Sequence, residues 1–145
     1  SASSGTKIHM ALAPGTKSHS YKLKTSSPKT RRLLGFIQSD RQVLGDDPRV
    51  RQARGKPAPD IFLVALRTLN PAADSGESPI SHKECLVFEN SIIRIEAARR
   101  AGMRVVWVPH PDIAVEYQAR QEDVLAGRTR LVDIRDKWQL GYIDN

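Results

Sequence analysis

CLVFENSIIRIEAARRAGM, residues 85–103, is the stretch whose reading decides the fold. It opens on an apolar run, Cys85 to Phe88, and passes through the polar pair Glu89 and Asn90. Ile92, Ile95, Ala98 and Ala101 then recur at helical spacing, with Arg94, Arg99 and Arg100 between them. A short apolar run with polar residues at its ends suits a strand buried on both faces. Gly102 supplies the left-handed residue that commonly stops a helix. A second apolar run, RVVWVP at residues 104–109, begins at once. Strand, helix and strand with short joints form a crossover unit, which points to a parallel sheet. Ligands of such sheets sit at the carboxyl ends of the strands, where Glu89 and Asn90 lie.

Upstream, IHMALA at residues 8–13 reads as a buried strand closed by the turn residues Pro14, Gly15 and Thr16. A helical pattern follows from Ser18, carrying Tyr21, Leu23, Leu33 and Leu34 and divided at Pro28. Residues 41–44 suit a short strand, ended by Gly45-Asp46-Asp47-Pro48. A basic loop at 49–55 leads to Lys56-Pro57-Ala58-Pro59-Asp60, the mouth of a helix that Ile61, Val64, Ala65 and Leu69 continue. Residues 70–84 are rich in Ser, Pro and Gly and read as a surface loop. Downstream, residues 112–126 form a weaker amphipathic helix ended by Gly127, and 131–134 suit a last short strand or turn.

The 145 residues amount to one domain, long enough to bury a core. With 23 basic against 16 acidic residues the net charge is +7 and the pI about 9.9, which favours acidic partners. Phosphorylated small molecules, nucleic acid and anionic lipid all suit the charge, which does not choose among them; the basic residues are scattered and aromatics are few, so a nucleic-acid surface is not expected. Cys85 is the single cysteine, which excludes an intrachain disulfide and suits a reducing compartment; its place in an apolar run marks a core thiol. No apolar run reaches the roughly 18 residues of a membrane helix, so a cytoplasmic protein with no membrane contact is expected. The first residue is Ser, which leaves room for a start further upstream. The four histidines have no ligand-like spacing, Trp107 reads as core, and Asp46 and Asp47 read as turn residues sooner than as an acidic site.

Three segments carry a family resemblance: GKPAPDIF at 55–62, VFENS at 87–91 and EAARRAGM at 96–103. Together with residues 13–25 and VLGDDP at 43–48, they resemble the second half of a haloacid dehalogenase superfamily phosphatase, nearest the pseudouridine-5'-phosphatase and sugar-phosphate phosphatase subgroup. The matches run in order over about residues 8–109. The resemblance implies a three-layer, Rossmann-like α/β core with a parallel sheet. It implies a magnesium-assisted mechanism in which an aspartate attacks phosphorus of a small phosphomonoester, such as a sugar or nucleoside phosphate. On this resemblance Lys56 matches the catalytic lysine that stabilises the transferring group. Gly15 and Thr16 fall in the phosphate-binding segment, and Glu89 and Asn90 fall on the metal-binding pair.

The departures from the family are specific. No Asp-any-Asp occurs in these residues, so the nucleophile's motif is absent, as is the cap domain that follows it. Pro14 stands in place of a phosphate-binding Ser or Thr, Asn90 in place of the second acid, and Arg94 in place of a glycine, where it is expected to crowd the turn. In this fold the missing strand is the central one, so the sheet is expected to re-pair, to borrow a strand from a partner chain or a second copy, or to fold marginally. Two functional readings follow. One is a phosphatase whose nucleophile and cap lie upstream. The other is a non-catalytic relative that binds phosphate or a protein. The changes at Pro14 and Asn90 favour the second, because truncation alone does not alter residues inside the retained half.

Overall fold

The computed structural model describes residues 8–50, 58–70 and 78–129. Its centre is the predicted crossover unit. Strand β1 (Leu86–Glu89) and strand β2 (Arg104–Trp107) pair in parallel, with Leu86 opposite Arg104 and Glu89 opposite Trp107. Before them come helices α1 (Ser18–Lys24), α2 (Pro28–Leu34) and α3 (Asp60–Leu69). Between the strands lies α4 (Ile92–Arg100), and after them come α5 (Pro111–Glu116) and α6 (Gln121–Leu125).

The end of α4 follows the expected chemistry. Gly102 takes φ of +77°, and the Met103 N–H donates to the Ala98 carbonyl at 3.1 Å, the six-to-one bond that closes a helix on a left-handed residue. A Cβ at position 102 would lie 2.5 Å from Cδ2 of His82, so sterics and backbone both require glycine there. The short return then brings β2 directly beside β1.

The sheet is covered on one face. Val87 and Val105 pack against a core of α3 and α4 side chains, among them Ile61, Phe62, Val64, Ala97 and Ala98, joined by Val43 and Met103. Ile92 and Ile95 form a neighbouring cluster with Val124 of α6, against which Trp107 packs half-buried, as its place in a strand run suggests. The other face, with Leu86, Phe88 and Val106, is exposed, and Phe88 is 68% accessible. Burial of β1 on both faces is therefore corrected: among the described residues, helices lie against one side and the architecture is two layers, α/β with a two-stranded parallel sheet.

Other expectations need correction. The strands expected at 8–13 and 41–44 are reduced to a single parallel bridge, Leu12 with Gln42, where Leu12 N donates to Arg41 O at 2.9 Å and Val43 N to Leu12 O at 2.8 Å. Ile8 and Met10 are exposed, so no burial offsets the entropy of extending the pairing. The helix at 112–126 is divided into α5, a 3-10 turn and α6, with the break at Tyr117. The break at Pro28 is as expected, and Ser27 caps α2 by accepting from Thr30 N. At 43–48 the turn reading holds. Asp46 accepts from the Ser18 N–H and hydroxyl at the start of α1, and Asp47 pairs with Arg49. Residues 131–134 lie outside the described residues.

Ile95 is fully buried in α4. Ile95→Ala is expected to cost about 2–5 kcal/mol and Ile95→Val about 0.5–1.5 kcal/mol, read as a shift in urea midpoint at unchanged slope.

Candidate functional site

Glu89 ends β1 on the helix-covered side, and its side chain is one-tenth exposed. One carboxylate oxygen, Oε1, accepts from the backbone N–H groups of Asn90 at 3.0 Å and Ser91 at 3.1 Å. Helices leave their first N–H groups without internal partners, and a carboxylate beside that end is favoured by the helix dipole. Ser91 holds the N-cap position, but its side chain makes no capping bond. The oxygen that caps the entry to this helix therefore belongs to Glu89 and not to Ser91.

The second oxygen, Oε2, accepts from Nε of Arg94 at 2.5 Å. Arg94 sits in the first turn of α4, yet it is 8% accessible. Its Nη2 donates to the carbonyl of Ala13, and its Cζ lies 5.1 Å from the centroid of the Phe62 ring, within cation–π range. Nη1 is buried and without a partner among the described residues. One guanidinium therefore joins the end of β1, the segment after the Leu12 bridge, and α3. Arg94 does not crowd the turn, as its replacement of a glycine had suggested, because its side chain folds back over the strand ends. Removing either member of such a buried pair leaves a charge uncompensated, at a cost of roughly 3–5 kcal/mol.

Gly15 and Thr16 follow Ala13 and are held beside Gly45. The Gly45 N–H donates to Thr16 O at 2.9 Å, and a Cβ on Gly45 would stand 2.6 Å from the Gly15 carbonyl. The Ala13–Thr16 segment and Glu89 are thus brought to one end of the fold. Asn90 is exposed, and its carbonyl accepts from Trp107 Nε1 at 3.3 Å. Lys56 lies outside the described residues. Among the described residues no three His, Cys, Asp or Glu side chains come together to hold a metal ion.

Among the described residues, Glu89 and Asn90 do not fit the magnesium that the family resemblance implies. Magnesium requires oxygen ligands in near-octahedral array at about 2.0–2.1 Å, with negative charge to offset its own. Here both Glu89 oxygens are engaged, one by two N–H groups and the other by a cation, and Asn90 adds no charge.

Sequence reasoning identified Arg94 as a departure but missed what it does. The signal was present in part: a cation in the first turn of a helix opposes the dipole, and the nearest acid on its upstream side is Glu89, five residues before it. Arg99 and Arg100, read as lying between the apolar positions, are also drawn inward. Arg100 pairs at 2.9 Å with Glu96, whose carboxyl is pushed up by burial against the opposing pull of Arg100.

The described residues thus form an α/β unit with an acid at the carboxyl end of the first strand of its crossover, and this fold was compared with known proteins through its sequence. No family model matches the chain. It is 35% identical over 133 residues to a probable pseudouridine-5'-phosphatase of Saccharomyces cerevisiae, covering 92% of this chain and 53% of that protein. It is 37% identical over 134 residues to (DL)-glycerol-3-phosphatase 2 of Arabidopsis thaliana, covering 92% and 50%. It is also 37% identical over 120 residues to a probable pseudouridine-5'-phosphatase of Drosophila melanogaster, covering 83% and 47%. The homologues of this chain at 35–37% identity over about 92% of its length are thus haloacid dehalogenase-family phosphatases. The chain spans about half the length of the curated relatives it matches.

Cys85 is half-buried, and burial together with the Glu84 carboxylate holds its thiol above the ordinary range. Only the thiolate reacts, so disulfide-exchange labelling at mildly alkaline pH is expected to be slower in the folded chain than in urea. The native rate is expected to keep rising with pH after the unfolded rate has levelled.

Proposed function

We propose that these residues are the carboxyl-terminal part of a haloacid dehalogenase-like phosphatase core, related to hydrolases of small phosphomonoesters such as sugar or nucleoside phosphates, and that the stretch hydrolyses none by itself. The observation that carries the reading is the convergence of the Ala13–Thr16 segment and Glu89, which the resemblance assigns to phosphate and metal, on the single side chain of Arg94. Inactivity follows from chemistry. Attack on phosphorus needs a positioned nucleophile, no Asp-any-Asp is present, and Asp46 and Asp47 are committed to Ser18 and Arg49. Lys56, Gly15 and Thr16 would remain as inherited phosphate contacts, in a cytoplasmic setting suited to the lone thiol of Cys85. No helix among the described residues is long and apolar enough to cross a membrane.

The second reading, a non-catalytic domain that binds a protein, is favoured by the open face of the sheet. Leu86 and Phe88 of β1 and Val106 of β2 lie together there, with Val108 just beyond, all exposed. Contiguous apolar surface of this kind marks an interaction site, and the occupant would be a partner chain, or a second copy, that also supplies a strand.

The purified chain is expected to release no phosphate from a panel of small phosphomonoesters with magnesium, beyond the rate of Lys56→Ala. Turnover that vanishes in the Lys56→Ala protein would overturn the inactive reading and direct attention to Asp46 and Asp47. In sedimentation velocity, self-association is expected to weaken in Phe88→Lys; an unchanged distribution between the two proteins argues against a second copy on that face.

A further inference from the structure

The described residues contain two parallel pairings that share no backbone hydrogen bond: the Leu12–Gln42 bridge and the β1–β2 pair. Their carboxyl ends are joined by the Arg94 guanidinium, which donates to Ala13 O from Nη2 and to Glu89 Oε2 from Nε. We propose that Arg94 is a built-in counter-cation: it takes at Glu89 the charge-balancing place of a divalent ion, so this end of the fold is assembled without metal. The inference rests on the location of the site and is independent of whether the domain hydrolyses phosphate.

Three observations carry it. The guanidinium and the carboxylate are each about nine-tenths buried, so their charges are balanced mainly by each other and not by solvent. The carboxylate has no oxygen left without a donor, and a guanidinium nitrogen 2.5 Å from Oε2 occupies the direction from which a hard cation would approach. The planar fork can bind a carboxylate and a carbonyl while its face lies on Phe62, a combination of contacts that a spherical ion does not make. The pair is neutral overall, and Asn90 adds no charge, so nothing in it attracts a dication.

The test uses the full 145-residue chain, with Mg²⁺ and Mn²⁺ as probes. Thermal unfolding of the wild type is expected to be unmoved by millimolar MgCl₂, and electron paramagnetic resonance of added Mn²⁺ is expected to show only free ion. A cycle of Glu89→Gln, Arg94→Met and the double variant is expected to give a coupling of roughly tenfold or more in the unfolding equilibrium constant, the same with and without Mg²⁺. In Arg94→Gly/Asn90→Asp the carboxylates are released, and one Mn²⁺ is expected to bind and to raise Tm. A wild-type Tm that rises with Mg²⁺, or Mn²⁺ bound by the wild type and lost in Glu89→Gln, overturns the proposal. So does a folded Arg94→Gly/Asn90→Asp protein that binds no Mn²⁺. If that variant does not fold, the wild-type titrations decide.

Discussion

A single guanidinium at the mouth of a helix is the constraint on which the arrangement of this domain depends. Arg94 stands where the dipole of α4 disfavours a cation, and it is almost wholly buried, so its charge must be met inside the protein. Glu89 meets it, and the same carboxylate satisfies two N–H groups that the turn into α4 would otherwise leave open. The acid has a double duty, capping with one oxygen and pairing with the other. Neither half of that arrangement stands without the other, since an unpaired Arg94 could not remain at the helix mouth.

The effect extends beyond the turn. Backbone hydrogen bonding holds β1 to β2 and Leu12 to Gln42, but no ladder connects these pairings. The hydrophobic cluster around Phe62 and Ala98 brings them close without direction, as apolar contact does. Arg94 adds direction, fixing the Ala13 carbonyl against the end of β1 while its face rests on Phe62. The Ala13–Thr16 segment and the β1 terminus face each other for that reason.

Much of the crossover unit was legible because its determinants are local. The apolar runs, the helical spacing through Ile92, Ile95 and Ala98, and the left-handed Gly102 each act within a few residues, and the structure follows them. The segments that departed from expectation depend on what lies opposite. Residues 8–13 have strand composition, but with Ile8 and Met10 exposed the pairing shrinks to one bridge. The apolar residues of β1 suggested burial on both sides, yet Leu86 and Phe88 look outward, since composition does not say whether a second layer is present. Of the candidate site, Glu89 was legible from its place at a strand end. The role of Arg94 was not, because its contact with Ala13 joins residues 81 positions apart.

The exchange of an ion for a side chain also shapes how such a site can change over generations. Loss of the arginine alone exposes Glu89 to an interior without counter-charge, and gain of an aspartate at position 90 alone adds an anion beside a carboxylate already saturated. Each single change leaves the charges around Glu89 unbalanced, so passage from one cation to the other favours paired changes at positions 90 and 94. Arg94 and Asn90 act in this sense as a ratchet around a retained Glu89, and the two are expected to persist or to change as a pair.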